Sequence, residues 1–144
     1  MYASIWPKTM SDQSEKTRPS IVLAHGELAA GLVSAVEQIT GMGSCFVAMS
    51  NTGLSGAELE QKLRAVVEET GAKVVFTDLP AGSCNIAAFR LLRDRDVVVV
   101  SGVNLPTLLH FVTHPNLSPE DAATEAVERG APTLKVTLGT PRGN

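Results

Sequence analysis

Aromatic residues are scarce in this 144-residue chain, with one Trp, one Tyr and four Phe making 4% of it. A compact globular interior must therefore be packed mainly from aliphatic side chains, which the 44% hydrophobic content supplies. Cysteine is almost as rare. Cys45 and Cys84 form no CxxC pair and no Cys/His zinc spacing, which excludes a disulfide scaffold and suits a reduced, cytoplasmic setting. Positive charge is not in excess, since 12 Lys and Arg face 15 Asp and Glu for a net charge of −3. Broad nucleic-acid binding needs a basic face and is disfavoured. Long apolar runs are missing too: the longest, such as 97–100, fall far short of the roughly 20 residues of a membrane span. No apolar h-region of a secretory signal occurs in the first twenty residues. A GxxxxGK[ST] loop is also lacking, and Gly41-Met42-Gly43 precedes a strand-like run instead of following one, so the usual nucleotide sites are disfavoured.

What remains is an alternation of two kinds of segment. Short β-branched runs occur at IVLAH (21–25), CFVAM (45–49), KVVFTD (73–78) and DVVVVSG (96–102); their near-continuous apolar character predicts strands buried on both faces. Between them, Leu28, Leu32, Val36 and Ile39 recur at helical spacing, as do Leu59, Leu63, Val66 and Val67. Ser55 with Glu58 predicts a capping box and Gly71 a helix stop. Asn104 before Leu105-Pro106, and Ser118 before Pro119-Glu120-Asp121, predict two more helix starts. Strand–helix alternation with short connections implies parallel βαβ units with right-handed crossovers: an α/β, three-layer sandwich. A fifth run, TLKVTL (133–138), alternates and suits an edge strand. The domain is expected over 20–138, with a disordered tail over 1–19, in which Met10 is a second candidate start, and a flexible tail over 139–144.

In open α/β sheets the binding crevice lies beyond the carboxyl ends of the strands. Strand one runs into His25-Gly26-Glu27, strand three into Asp78 and the turn through Ala81-Gly82-Ser83-Cys84, and strand four into Ser101-Gly102. His25, Asp78 and Ser83 should thus share one rim. A neutral imidazole is a good nucleophile near neutral pH, and a carboxylate on one ring nitrogen fixes the tautomer that leaves the other free. A structural histidine bonded to backbone is the plain alternative. The Gly82-Ser83 turn at a helix start offers backbone N–H groups to an anion, although N-caps recruit serine for purely structural reasons. Together these residues suggest phosphate handling with no metal or other cofactor. Cys84, at a helix N-terminus, is either an activated thiol or a space-filler, and Cys45 reads as inert in a buried strand. His110 and His114 lie four apart in HFVTH, yet no glutamate follows His110, so the metalloprotease helix is absent and no metal site is read there.

Three runs, IVLAHGELAAGL (21–32), TDLPAGSCNIAA (77–88) and SGVNLPTLLHFV (101–112), resemble the IIA component of the mannose family of the bacterial sugar phosphotransferase system. The resemblance implies a doubly wound sheet whose final strand, here 133–138, is exchanged between the subunits of a homodimer. It implies that His25 accepts a phosphoryl group on Nε2 from the small phosphocarrier protein and passes it to a IIB component, with the membrane subunits IIC and IID only indirectly involved. Asp78 would hold Nδ1, while Gly82, Ser83 and Cys84 would receive the phosphoryl oxygens. The phosphate turn departs from the family's usual Gly-Gly-Ser/Thr-Pro at Ala81 and Cys84. Rival readings are a regulatory phospho-accepting module without its own transporter, a receiver-like module phosphorylated on Asp78, and a small hydrolase using Ser83 or Cys84 with His25 as base.

Overall fold

The computed structural model describes residues 19–142, so the tail expected over 1–19 and the last two residues of the tail expected over 139–144 lie essentially outside the described residues. Four strands, β1 (Ser20–Ala24), β2 (Phe46–Ser50), β3 (Val74–Thr77) and β4 (Val98–Ser101), form an all-parallel sheet in the order β2-β1-β3-β4. Five helices connect or follow them: α1 (Leu28–Thr40), α2 (Gly56–Thr70), α3 (Ser83–Leu91), α4 (Leu105–Val112) and α5 (Pro119–Gly130). The strand-like runs all materialise, trimmed at their polar ends. Cys45 is the exception in kind, because it closes a short 3-10 turn (Gly43–Cys45) ahead of β2 and is only half-buried.

Period-two alternation in the central strand sorts the two cores. Val22 and Ala24 of β1 face a cluster with Val36, Phe76, Leu108, Phe111 and Ala126, which covers that side with α1, α4 and α5. Ile21 and Leu23 face the opposite way, onto Leu59, Leu63, Val75, Ala88 and Leu91 of the α2 and α3 side. The result is the expected three-layer, doubly wound sandwich. Three of the four phenylalanines, Phe46, Phe76 and Phe111, meet edge-on or tilted at centroid distances of 5.0–6.2 Å. Each fully buried side chain of this size contributes about 1.5–3 kcal/mol relative to exposure. On the far side, Arg64 bonds Glu60 and Asp94, and Arg90 bonds Glu60, lacing α2 to the end of α3.

The helix starts behave as the sequence predicts. Ser55 and Glu58 close a reciprocal capping box, Asn104 accepts from the Thr107 amide, and Ser118 accepts from the Asp121 amide. No helix among the described residues is long and apolar enough to cross a membrane. The run at 133–138, expected as an edge strand exchanged in a dimer, pairs with no strand of the single chain. After a 3-10 turn (Ala131–Thr133) the chain has no regular structure, and Leu134, Val136 and Leu138 stand 88%, 85% and 85% exposed. An isolated strand cannot satisfy its own backbone, so an alternating pattern gives β-structure only where an edge receives it.

Register decides where polar residues surface. Ala24 pairs with Ser50, Leu23 with Thr77, and Thr77 with Ser101. His25, Asn51, Asp78 and Gly102 therefore leave the sheet at one edge. The winding reverses at β1, between β2 on one side and β3 on the other, so the switch point lies between β1 and β3.

Candidate active site

His25 leaves β1 and Asp78 leaves β3, which puts them on either side of that switch point. The carboxylate oxygen Oδ2 of Asp78 accepts twice from His25, from the backbone N–H at 3.0 Å and from ring Nδ1 at 2.8 Å. The histidine side chain is 46% exposed while that of Asp78 is 8% exposed. The acid is thus sunk behind the ring, and the ring opens to solvent. Gly26, at φ 56°, turns the chain out of the strand so that α1 can start at Leu28.

Burial pushes the Asp78 carboxyl up, but the His25 amide, the ring hydrogen bond and the ring's attraction together outweigh it and hold the group below its ordinary value. An ionised carboxylate can only accept, so Nδ1 carries the hydrogen and the lone pair of the neutral ring rests on Nε2. The other oxygen, Oδ1, is buried without a hydrogen-bond partner among the described residues. An acid so enclosed is no phosphate acceptor of the receiver kind.

The turn between β3 and α3 is held by Asn85, a residue the sequence reading passed over. Its Oδ1 accepts from Thr77 Oγ1 at 3.1 Å and from the Ser101 hydroxyl, and its Nδ2 donates to the Pro80 carbonyl at 3.2 Å. Gly82 is the N-cap of α3 at φ 91°, ψ −176°, a region open essentially to glycine alone. The turn's unusual backbone thus falls on Gly82 itself. Neither α3 nor α1 has a side-chain cap, in contrast to α2, α4 and α5. Both begin beside the histidine, and their first N–H groups have no intrahelical acceptor.

Ser83 is half-buried, and its Oγ accepts from Asn51 Nδ2 at 3.3 Å. Asn51 is the second omission: it follows β2 as His25 follows β1, and the same strand-end rule would have found it. Cys84 Sγ lies 3.9 Å from His25 Nδ1, fully buried. Burial, reinforced by the Asp78 charge, pushes this thiol up despite the Ser83 hydrogen bond. The prospect of an activated thiol at the helix start is therefore overturned. The hydrolase reading lacks the contact it needs, because among the described residues no hydrogen bond joins the Ser83 hydroxyl to the His25 ring, and Ser83 Oγ accepts instead from Asn51. His110 and His114 lie elsewhere, at the far end of α4, where Glu125 of α5 joins them.

Over residues 20–128 the chain matches the family described as PTS system fructose IIA component. Comparison with curated proteins gives no significant match. Among solved structures it is similar to phosphotransferase system component EIIA from Streptococcus agalactiae, with a TM-score of 0.73 and 23% identity over 82% of this chain and 95% of that one. The mannose/sorbose-specific IIA subunit of Enterococcus faecalis gives 0.70 and 21%, over 88% and 98%. A PTS IIA protein associated with the fucose utilization operon of Streptococcus pneumoniae gives 0.65 and 26%, over 77% and 89%.

Proposed function

The chain belongs to the family of PTS system fructose IIA components, and from that premise we propose that it is a phosphohistidine carrier of a sugar phosphotransferase system, with His25 as its acceptor. The observation that carries this reading is the half-exposed ring whose Nδ1 sits 2.8 Å from Asp78 Oδ2. Asp78 fixes the tautomer, and Nε2 is the nucleophile. Its lone pair attacks the phosphorus of a phosphohistidine on the phosphocarrier protein. The donor's N–P bond breaks, and the donor imidazole departs with the electron pair. The second transfer, to a histidine of a IIB component, is the same step in reverse sense, so the two barriers are nearly matched. In such a reaction the protein chiefly positions groups and spreads charge.

Gly82, Ser83 and Cys84 would take the phosphoryl oxygens on their amides, aided by the positive end of α3 and the Ser83 hydroxyl. Charge argues the same way: an arriving phosphoryl group meets the first N–H groups of α3, which have no intrahelical acceptor, whereas the Asp78 carboxylate is screened behind the ring. The chain is further proposed to act as a homodimer that exchanges residues 133–138. In support, that segment presents Leu134, Val136 and Leu138 on alternate positions, all exposed in the single chain.

The test is incubation with phosphorylated phosphocarrier protein, followed by mass mapping of the modified side chain under alkaline conditions. Label on His25, acid-labile and absent from His25→Ala, is the expected result. Label that persists on that variant, or that maps to Asp78 or Ser83, defeats the proposal.

A further inference from the structure

A second constellation of donor side chains lies away from the crevice. α4 follows β4, so it runs from the carboxyl edge of the sheet back toward the amino edge, and its last turn carries His110 away from His25. His114 follows just past the helix end. Their rings stack at a centroid distance of 3.9 Å with 17° between planes. Glu125, in the middle of α5, places Oε2 2.8 Å from His110 Nε2. One ligand atom from each of the three lies within 4.8 Å of the others. Two of the chain's three histidines are thus committed to one small surface site.

We propose that His110, His114 and Glu125 form a binding site for a zinc-class divalent cation that joins α4 to α5. Two imidazoles and one carboxylate are the donor set such ions take, with a fourth position left to solvent or an exogenous ligand. The second shell is already present for one ring. His114 Nδ1 is 2.7 Å from the His110 carbonyl oxygen, and a carbonyl only accepts, so Nδ1 carries the hydrogen and Nε2 is the lone-pair nitrogen. At His110 the ion would replace the hydrogen that now links Nε2 to Glu125, and that proton passes to Nδ1 or to solvent.

The donor atoms are already close, but an ion lies in the plane of each ligating ring, so the near-parallel stack must open by rotation of the His114 side chain. Donors about 2.0–2.1 Å from a tetrahedral zinc stand roughly 3.3 Å apart. The His110–Glu125 contact of 2.8 Å must open by about half an ångström, and no other pair need close by more than about 1.5 Å. His114 is exposed and beyond the helix, and Glu125 is half-buried at the seam with α4, so the rearrangement falls mainly on His114. A bound ion would pin α5, from which the exposed 131–142 segment departs.

The experiment titrates the full chain with Co2+ alone, read by visible absorption, with Zn2+ as competitor. One saturable equivalent, displaced by Zn2+, is expected. His114→Ala and Glu125→Gln should each weaken it by more than about 100-fold, beyond what loss of an outer-shell partner costs, with unchanged far-ultraviolet dichroism. His25→Ala should bind like the parent chain. Parent-like binding by both surface variants, loss of binding in His25→Ala, or no Zn2+ binding at micromolar concentration would each overturn the assignment. None of these results depends on whether His25 carries phosphate.

Discussion

Replacing Asp78 by Asn probes the acid–imidazole pair directly. The shape is kept, and an amide oxygen in the Oδ2 position still accepts from the His25 N–H at 3.0 Å and from Nδ1 at 2.8 Å. What is lost is the charge. Charge-assisted hydrogen bonds are worth about twice neutral ones, so each bond weakens by roughly 1 kcal/mol. The new amide N–H2 lands where Oδ1 is now buried without a partner, an unsatisfied donor pair costing about 1–3 kcal/mol. Relief from burying an ion offsets part of that. The net expectation is a loss of about 2 kcal/mol in denaturant unfolding with an unchanged m value. Transfer should suffer separately. The ring bond weakens by that same roughly 1 kcal/mol, which slows phosphorylation of His25 by about fivefold at 1.4 kcal/mol per decade. A rapid-quench assay with phosphorylated phosphocarrier protein reads this rate. A variant that loses stability yet transfers at the parent rate would refute the claim that Asp78 orients the ring, leaving it a purely structural acid.

The same pair predicts a pH dependence: because the folded Asp78 carboxyl is held below its ordinary value, its stabilisation is full above the unfolded value of about 3.9 and vanishes as pH falls through the folded one. The stability difference between parent and Asp78→Asn should therefore shrink below about pH 4 in thermal melts; a constant difference contradicts this. Gly130→Ala would place a Cβ 2.3 Å from Thr107 Oγ1 and 2.7 Å from the Thr107 backbone, so unfolding free energy should drop by about 1–3 kcal/mol, and an unchanged midpoint would deny that α5 seats so closely on α4. Removing the residues after Pro132 should convert dimer to monomer or aggregate in light scattering, and a stable truncated dimer refutes strand exchange.

Much of the chain's organisation is written in local patterns. The four β-branched runs, the capping box of Ser55 and Glu58, and the starts at Asn104 and Ser118 depend on neighbours within a few residues, so the linear order of residues determines them. The prominence of His25, Asp78 and Ser83 was legible for a related reason: each lies just past a strand or at a helix start, and parallel topology sends those positions to one edge. Asn51 obeys the same rule at the end of β2.

Other features needed the third dimension. That β1 lies between β2 and β3, so that His25 meets Asp78 across 53 positions of chain, is a matter of strand pairing, which local propensity does not encode. The thiol of Cys84 is silenced by burial and a neighbouring carboxylate, both properties of packing. Glu125 joins the HFVTH pair only because α5 folds back along α4. The alternating run at 133–138 carries the pattern of a strand, but a strand exists only where an edge accepts its hydrogen bonds. The sequence by itself therefore determined the elements and their polar ends. Tertiary structure alone decided which of those ends touch, because contact energy is set by what lies within a few ångströms in space, whatever the distance along the chain.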